Sequence, residues 1–132
     1  MTIAHTGIKV AAAQHAAVVA WYEAALASIG YKNAMSFAEG QVVGFADSAG
    51  HIDWWITAAT AQDGATAILP THTAFAANDR ASVDRFHADA VAAGGTCNGK
   101  PGIRPFSGPT YYAAFVLDPA GNNIEVVCTA EA

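Results

Sequence analysis

The sequence predicts an α+β fold of two paired βαβββ modules in one domain spanning residues 1–132, module 1 over about 1–60 and module 2 over about 70–130. Three observations predict it. His5-Thr6 and His72-Thr73 each open an apolar, strand-like stretch, 67 residues apart in a chain of 132, so the chain repeats itself at half its length. Each opening strand is followed by one helix of amphipathic period, and each helix by short strand candidates separated by turn residues. The composition is 53% apolar and only 13% charged, which excludes disorder; a chain of this size buries roughly 65 to 70% of its unfolded surface and needs no staple.

In the first half, Val18, Trp21, Tyr22, Ala25, Leu26 and Ile29 fall at the spacing of one helical face, and Gly30 stops the helix. Three strands follow over 31–37, 41–46 and 51–58, divided by Glu39-Gly40 and Ser48-Ala49-Gly50. In the second half, the strand at His72-Thr73-Ala74-Phe75 leads to a helix with Val83, Phe86, Ala90 and Val91 on one face, closed by Gly94-Gly95. Asp79, Asp84 and Asp89 are a cap and a solvated face of that helix. Strands are expected at 96–98, 111–117 and 123–128. The run NGKPGIRPFSGP, from Asn98 to Pro109, is too rich in Gly and Pro for regular structure and is expected as a long loop at the rim of a pocket.

Asp118-Pro119-Ala120-Gly121 suits a type I turn followed by a left-handed glycine, a three-residue hairpin with a bulge. That turn pairs Asp118 with Asn122 and, counting back, sets Phe115 opposite Glu125. Alternation then puts Tyr111, Ala113, Phe115, Asn123, Glu125 and Val127 on one face, with Tyr112, Ala114, Val116 and Ile124 on the other. A face carrying a carboxylate among aromatic rings, backed by an apolar face under a helix, belongs to a sheet that curls around a pocket. With a different turn, Tyr112 would take the place of Tyr111 and Phe115.

Charge and composition exclude several classes of partner. Six basic against eleven acidic residues give a net charge of -5 with no basic stripe, so nucleic acid is not an expected partner. The start MTIAHTGIKV lacks the basic and apolar regions of a secretion signal, and the Ala-rich stretch 11–27 is interrupted by Gln14, His15, Trp21 and Glu23. A soluble, cytoplasmic protein with no membrane partner is the expectation. Cys97 and Cys128 are too few for a disulfide framework and are read as plain strand residues.

The stretches HTGIKV, AWYEAALASIGY, THTAF and YYAAFVLDPAGNNIEVV together resemble the vicinal oxygen chelate superfamily, the group of glyoxalase I, fosfomycin and bleomycin resistance proteins and extradiol dioxygenases. The DPxGN turn followed by an apolar-flanked glutamate is the most specific of these. The resemblance implies a cupped half-barrel sheet with the helices outside and a divalent metal at its floor. By position, His5, His72 and Glu125 match the family's metal ligands; the repeat equivalence of the two histidines and the inward face of Glu125 agree with that match. Two imidazoles and a carboxylate suit Fe(II), Mn, Zn, Ni or Co.

Departures from the family's subgroups narrow the reading. Glyoxalase I places a further ligand, usually a carboxylate, on the last strand of the first module, where this chain has His51-Ile52-Asp53-Trp54-Trp55-Ile56. Asp53 and Trp55 are expected on one face, with Trp55 at or beside the ligand position. The fosfomycin-modifying relatives use a basic cluster, and nothing basic follows Glu125. Many extradiol dioxygenases carry a second pair of modules that is absent here.

Around the ligands, Trp55 either lines the pocket or fills core, and Tyr111 and Phe115 form its wall. Arg104 and Phe106 reach in from the rim, where Arg104 either pairs with an anionic group or stays solvated. Asn98 orients a substrate carbonyl or merely forms a turn. His15, His51 and His87 have no ligand partner in the pattern and are read as structural. Two functions follow. One is a metal-dependent enzyme of lyase, isomerase or dioxygenase type, acting on a small substrate with vicinal oxygens, with Glu125 as ligand and base, in a homodimer. The other is a metal-free module that sequesters a planar or cationic small molecule, such as a drug, in an aromatic groove.

Overall fold

The computed structural model describes residues 3–63 and 68–131. The first module runs through β1 (Thr6–Val10), α1 (His15–Ala25), a 3₁₀ turn (Ala27–Ile29), β2 (Lys32–Phe37), β3 (Val42–Ala46) and β4 (Ile52–Ala58). The second runs through β5 (His72–Ala76), α2 (Arg80–Ala92), β6 (Thr96–Ile103), β7 (Tyr112–Leu117) and β8 (Asn123–Cys128). Each module makes one four-stranded mixed sheet, ordered β1-β4-β3-β2 and β5-β8-β7-β6. In each, the opening strand pairs in parallel with the last, and the other pairs are antiparallel. The repeat in the sequence is thus a repeat of topology, and the sheets stay open.

Both helices bury the faces that their periodicity predicts. Val18, Trp21, Tyr22, Ala25 and Leu26 of the first helical segment, and Val83, Phe86 and Ala90 of α2, join the inward residues of both sheets in one core cluster. Val91 is the exception: it stands 39% exposed, beyond the edge of the buried stripe. The modules are tied through this core, where the Trp21 indole N–H donates to the Ala90 carbonyl at 2.9 Å. His15 is buried, its Nε2 at 3.0 Å from the Ile56 carbonyl, a structural role. Asp79 caps α2 by accepting from the Ser82 N–H at 2.6 Å. The segment after α1 stops at Gly30, whose φ of +84° is left-handed. Among the described residues no helix is long and apolar enough to cross a membrane.

The closing hairpin has the predicted register: Phe115 faces Glu125 across β7 and β8, and Leu117 faces Asn123. Gly121 takes φ +89° and Asp118 N–H donates to the Asn122 carbonyl at 2.9 Å, as the bulged turn requires. Asp118 organises that turn, accepting at Oδ1 from the N–H groups of Ala120 and Asn122 and at Oδ2 from Tyr22 and Asn122.

The expected loop from Asn98 to Pro109 is corrected. Its first half, through Ile103, continues β6, pairing Gly99 with Phe115 and Gly102 with Ala113 through two register shifts. The reason is position: β6 is an edge strand, so Pro101 need donate to no outer neighbour and bulges absorb the glycines. Only the short turn after Ile103 remains as rim.

Candidate functional site

The face of the second sheet turned away from the core carries most of the predicted residues. Ala114, Val116, Ile124 and Val126 are completely buried on the helix side, so Phe115 and Glu125 point the other way. β5 brings His72 beside Asn123 and places the small Ala74 beside Glu125. His72 Nδ1 lies 2.9 Å from the Asn123 carbonyl, and its Nε2 lies 3.1 Å from Glu125 Oε2. Both ring nitrogens therefore face acceptors. A neutral imidazole has one N–H and can donate to only one of these two acceptors, so in either tautomer the other ring nitrogen turns a lone pair toward an oxygen. An imidazole nitrogen and a carboxylate oxygen on one face are donors of the kind divalent cations take, and the Asn123 carbonyl lies behind the imidazole.

The second oxygen of Glu125 is held from the other side. Tyr111 Oη donates to Glu125 Oε1 at 2.7 Å, and this bond, with some burial and the carboxylate charge, pushes the phenol up to about 12. Glu125 itself is only 4% exposed. Phe115 forms the wall, its ring stacked 6.2 Å from that of His72. The Arg104 guanidinium lies over the same ring, 5.4 Å from its centre, while Nη1 and Nη2 donate to the Gly102 and Lys100 carbonyls at 3.0 and 2.6 Å. Arg104 is thus pinned on the sheet rather than solvated in a loop, and Gly99 makes room for it: a Cβ there would come within 3.2 Å of Nη2. Asn98 donates to Asn123 Oδ1 at 3.2 Å on the same face. Phe106 stands fully exposed in the turn beyond β6.

His5 does not join this pair in a three-residue cluster. It lines, with His72, Tyr31, Asp53, Trp54 and Phe75, a cleft of about 590 Å³ between the free edges of β1 and β5. Among the described residues, no three His, Cys, Asp or Glu side chains come together as a metal cluster. His5 also borders a cleft of about 410 Å³ on the first sheet, beside Phe37 and Trp55. There the Trp55 indole lies flat over Gly44, where a Cβ would meet its ring carbons at 2.7 and 2.8 Å, and Phe37 packs edge-on against it at 5.7 Å. Trp55 therefore lines a pocket.

Asp53 does not share the Trp55 face. The ladder between β3 and β4 shifts between Phe45↔Trp54 and Ala46↔Ile52, which leaves Asp53 as a bulged residue and turns Ile52 toward Gly44 and Trp55. Asp53 instead accepts from Tyr31 Oη at 3.1 Å, and its Oδ1 is buried without a partner. Burial, followed by the Asp53 bond and charge, raises the Tyr31 phenol. Strict alternation along β4 could not show this, because a bulge reverses parity. Asn123 anchors His72 through its carbonyl, a contact that follows from the parallel pairing of the opening and last strands.

The family model described as the Glyoxalase/Bleomycin resistance protein/Dioxygenase superfamily matches residues 2–126. Among solved structures, a glyoxalase/bleomycin resistance protein from Albidiferax ferrireducens T118 is 25% identical, covering 93% of this chain and 96% of its own, with a TM-score of 0.71. The lactoylglutathione lyase from Agrobacterium tumefaciens is 23% identical over 96% of this chain and 92% of its own, with a TM-score of 0.67. A family enzyme from Burkholderia phytofirmans PsJN is 19% identical over 96% and 98%, with a TM-score of 0.70. No curated protein matches the sequence.

Proposed function

The chain belongs to the glyoxalase/bleomycin resistance protein/dioxygenase superfamily, and on that footing we propose that it is a divalent-metal-dependent enzyme acting on a small substrate with vicinal oxygens. The observation that carries this is the His72–Glu125 pair, in which Nε2 and Oε2 stand 3.1 Å apart with both ring nitrogens facing acceptors. His72 and Glu125 are two ligands, and His5 is the third. Since His5 does not join the pair in a cluster within one chain, a homodimer in which two copies complete each other's cups supplies the missing donor. Fe(II), Mn, Zn, Ni or Co, held by these residues, would supply Lewis acidity to the substrate.

The remaining roles belong to the chain. Tyr111 holds Oε1 of Glu125, so that Oε2 is the atom left to bind or to take a proton. Phe115 and Trp55 give apolar walls that exclude water, Arg104 receives an anionic end of the substrate, and Phe106 closes the rim. The chemistry is of lyase, isomerase or dioxygenase type. The free thiols of Cys97 and Cys128 suit a reducing, cytoplasmic setting.

A second reading has its own support. The exposed Phe37 ring against Trp55, beside the cleft on the first sheet, is an aromatic groove of the kind that stacks a planar ligand without chemistry. Metal analysis after loading with Ni(II), Zn(II) or Mn(II) and exhaustive dialysis separates the two. The metal-dependent reading expects stoichiometric metal in the wild type, none in His72→Ala, and unchanged circular dichroism. A wild type that keeps no metal overturns it in favour of the sequestering module.

A further inference from the structure

On the opposite face of the second sheet from Glu125, Cys97 and His87 form a pair that the proposed function does not use. Cys97 lies on the edge strand β6, in register with the buried Val116, and so on the side covered by α2. His87, on α2, presents Nε2 at 3.1 Å from Cys97 Sγ. The thiol is exposed, whereas the other cysteine, Cys128, is buried. An accessible sulfur with a base at hydrogen-bonding distance is the arrangement in which a thiol proton can leave without waiting for hydroxide.

We propose that Cys97 is a modification site, a surface thiol that exchanges with low-molecular-weight disulfides, with His87 as its proton acceptor. The Sγ proton passes to His87 Nε2 and the thiolate attacks one sulfur of the incoming disulfide. The new S–S bond forms as the old one breaks, and the departing thiolate takes the proton back from the imidazole. Cys97 is oxidised to a mixed disulfide and half of the incoming disulfide is reduced to a thiol. The imidazole is suited to accept at neutral pH. Burial and then the Lys100 ammonium hold its pKa below the ordinary 6.5, against an opposing pull from Asp84.

The test is the rate of thiopyridone release from dithiodipyridine, followed from acid to alkaline pH on the folded protein. The wild type should release one equivalent when native and a second, from Cys128, only when unfolded; Cys97→Ser should release none when native. The wild-type rate should rise along a limb below pH 6.5, where His87 loses its proton, and then stay level through neutral pH. In His87→Gln it should be slower at pH 7 by about tenfold or more and should climb continuously toward an ordinary thiol pKa of about 8.5. Glutathione disulfide should leave a mass adduct on native wild type and none on Cys97→Ser. A silent native thiol, the absence of the adduct, or a wild-type profile that lacks the acid limb overturns the proposal without recourse to any variant.

Discussion

Tyr22, on the helix of the first module, donates its hydroxyl to Asp118 Oδ2 in the closing hairpin of the second at 2.5 Å, with both side chains buried. This bond joins the core helix to the turn that sets the register of Phe115 against Glu125. Asp118 is 4% exposed, so the carboxylate cannot replace a lost donor with water. Oδ2 keeps its bond from the Asn122 amide, so Tyr22→Phe should destabilise the protein by about 1.5 to 3 kcal/mol, the contribution of one hydrogen bond to a charged group. Urea unfolding followed by fluorescence measures it, and an unchanged midpoint would contradict the role given to the bond.

Every tyrosine donates to a carboxylate: Tyr22 to Asp118, Tyr31 to Asp53, Tyr111 to Glu125 and Tyr112 to Asp84. All four phenols are raised above the ordinary 10.0, so their neutral forms are favoured in the folded state. The stabilisation is complete below pH 10 and is lost as pH rises through the folded values, for Tyr111 about 12. Tyrosinate absorbance should thus stay low in the native protein at pH 10 to 11 while the unfolded chain titrates normally. A native titration midpoint at the ordinary value would refute the four bonds.

Gly7 sits beneath Trp55, and a Cβ there would lie 2.5 Å from the Trp55 carbonyl oxygen, closer than real side chains approach. Because the obstacle is backbone of the paired strand β4, it cannot rotate away. Gly7→Ala should force β1 and β4 apart and cost about 1 to 3 kcal/mol. The same substitution at Gly40, where a Cβ meets nothing within 4 Å, separates this clash from φ strain, which Gly40 alone would suffer at +83°. Equal stability of Gly7→Ala and wild type in thermal unfolding would disprove the close approach.

Arg104 is held over Phe115 by two carbonyls and keeps its charge on the candidate face. Replacing it by Ala should weaken binding of small carboxylates by about tenfold or more, since a hydrogen bond to a charged group contributes about 1.5 to 3 kcal/mol. Calorimetric titration of a carboxylate panel measures this, and equal affinities for every anionic hit would show that Arg104 only pins the strand.

Tertiary contacts override local pattern at identifiable places. Alternation placed Asp53 with Trp55, but the bulge in β4 reversed it toward Tyr31. The Gly and Pro density after Asn98 pointed to a loop, yet an edge position lets that composition continue a strand. His87 and Cys97 share no local pattern, since nine residues of helix end and turn lie between them and they meet only where α2 packs against β6.

The βαβββ repeat, the buried face of each helix and the hairpin register are legible along the chain, because helical period, strand alternation and turn chemistry are properties of neighbouring residues. The site is set by long-range packing: His72 meets Glu125 without His5 completing a cluster, Asn123 lies behind the imidazole, and Arg104 lies on Phe115. Those distances depend on how strands far apart in sequence are paired and how the two sheets are set around one core. No local period encodes that placement.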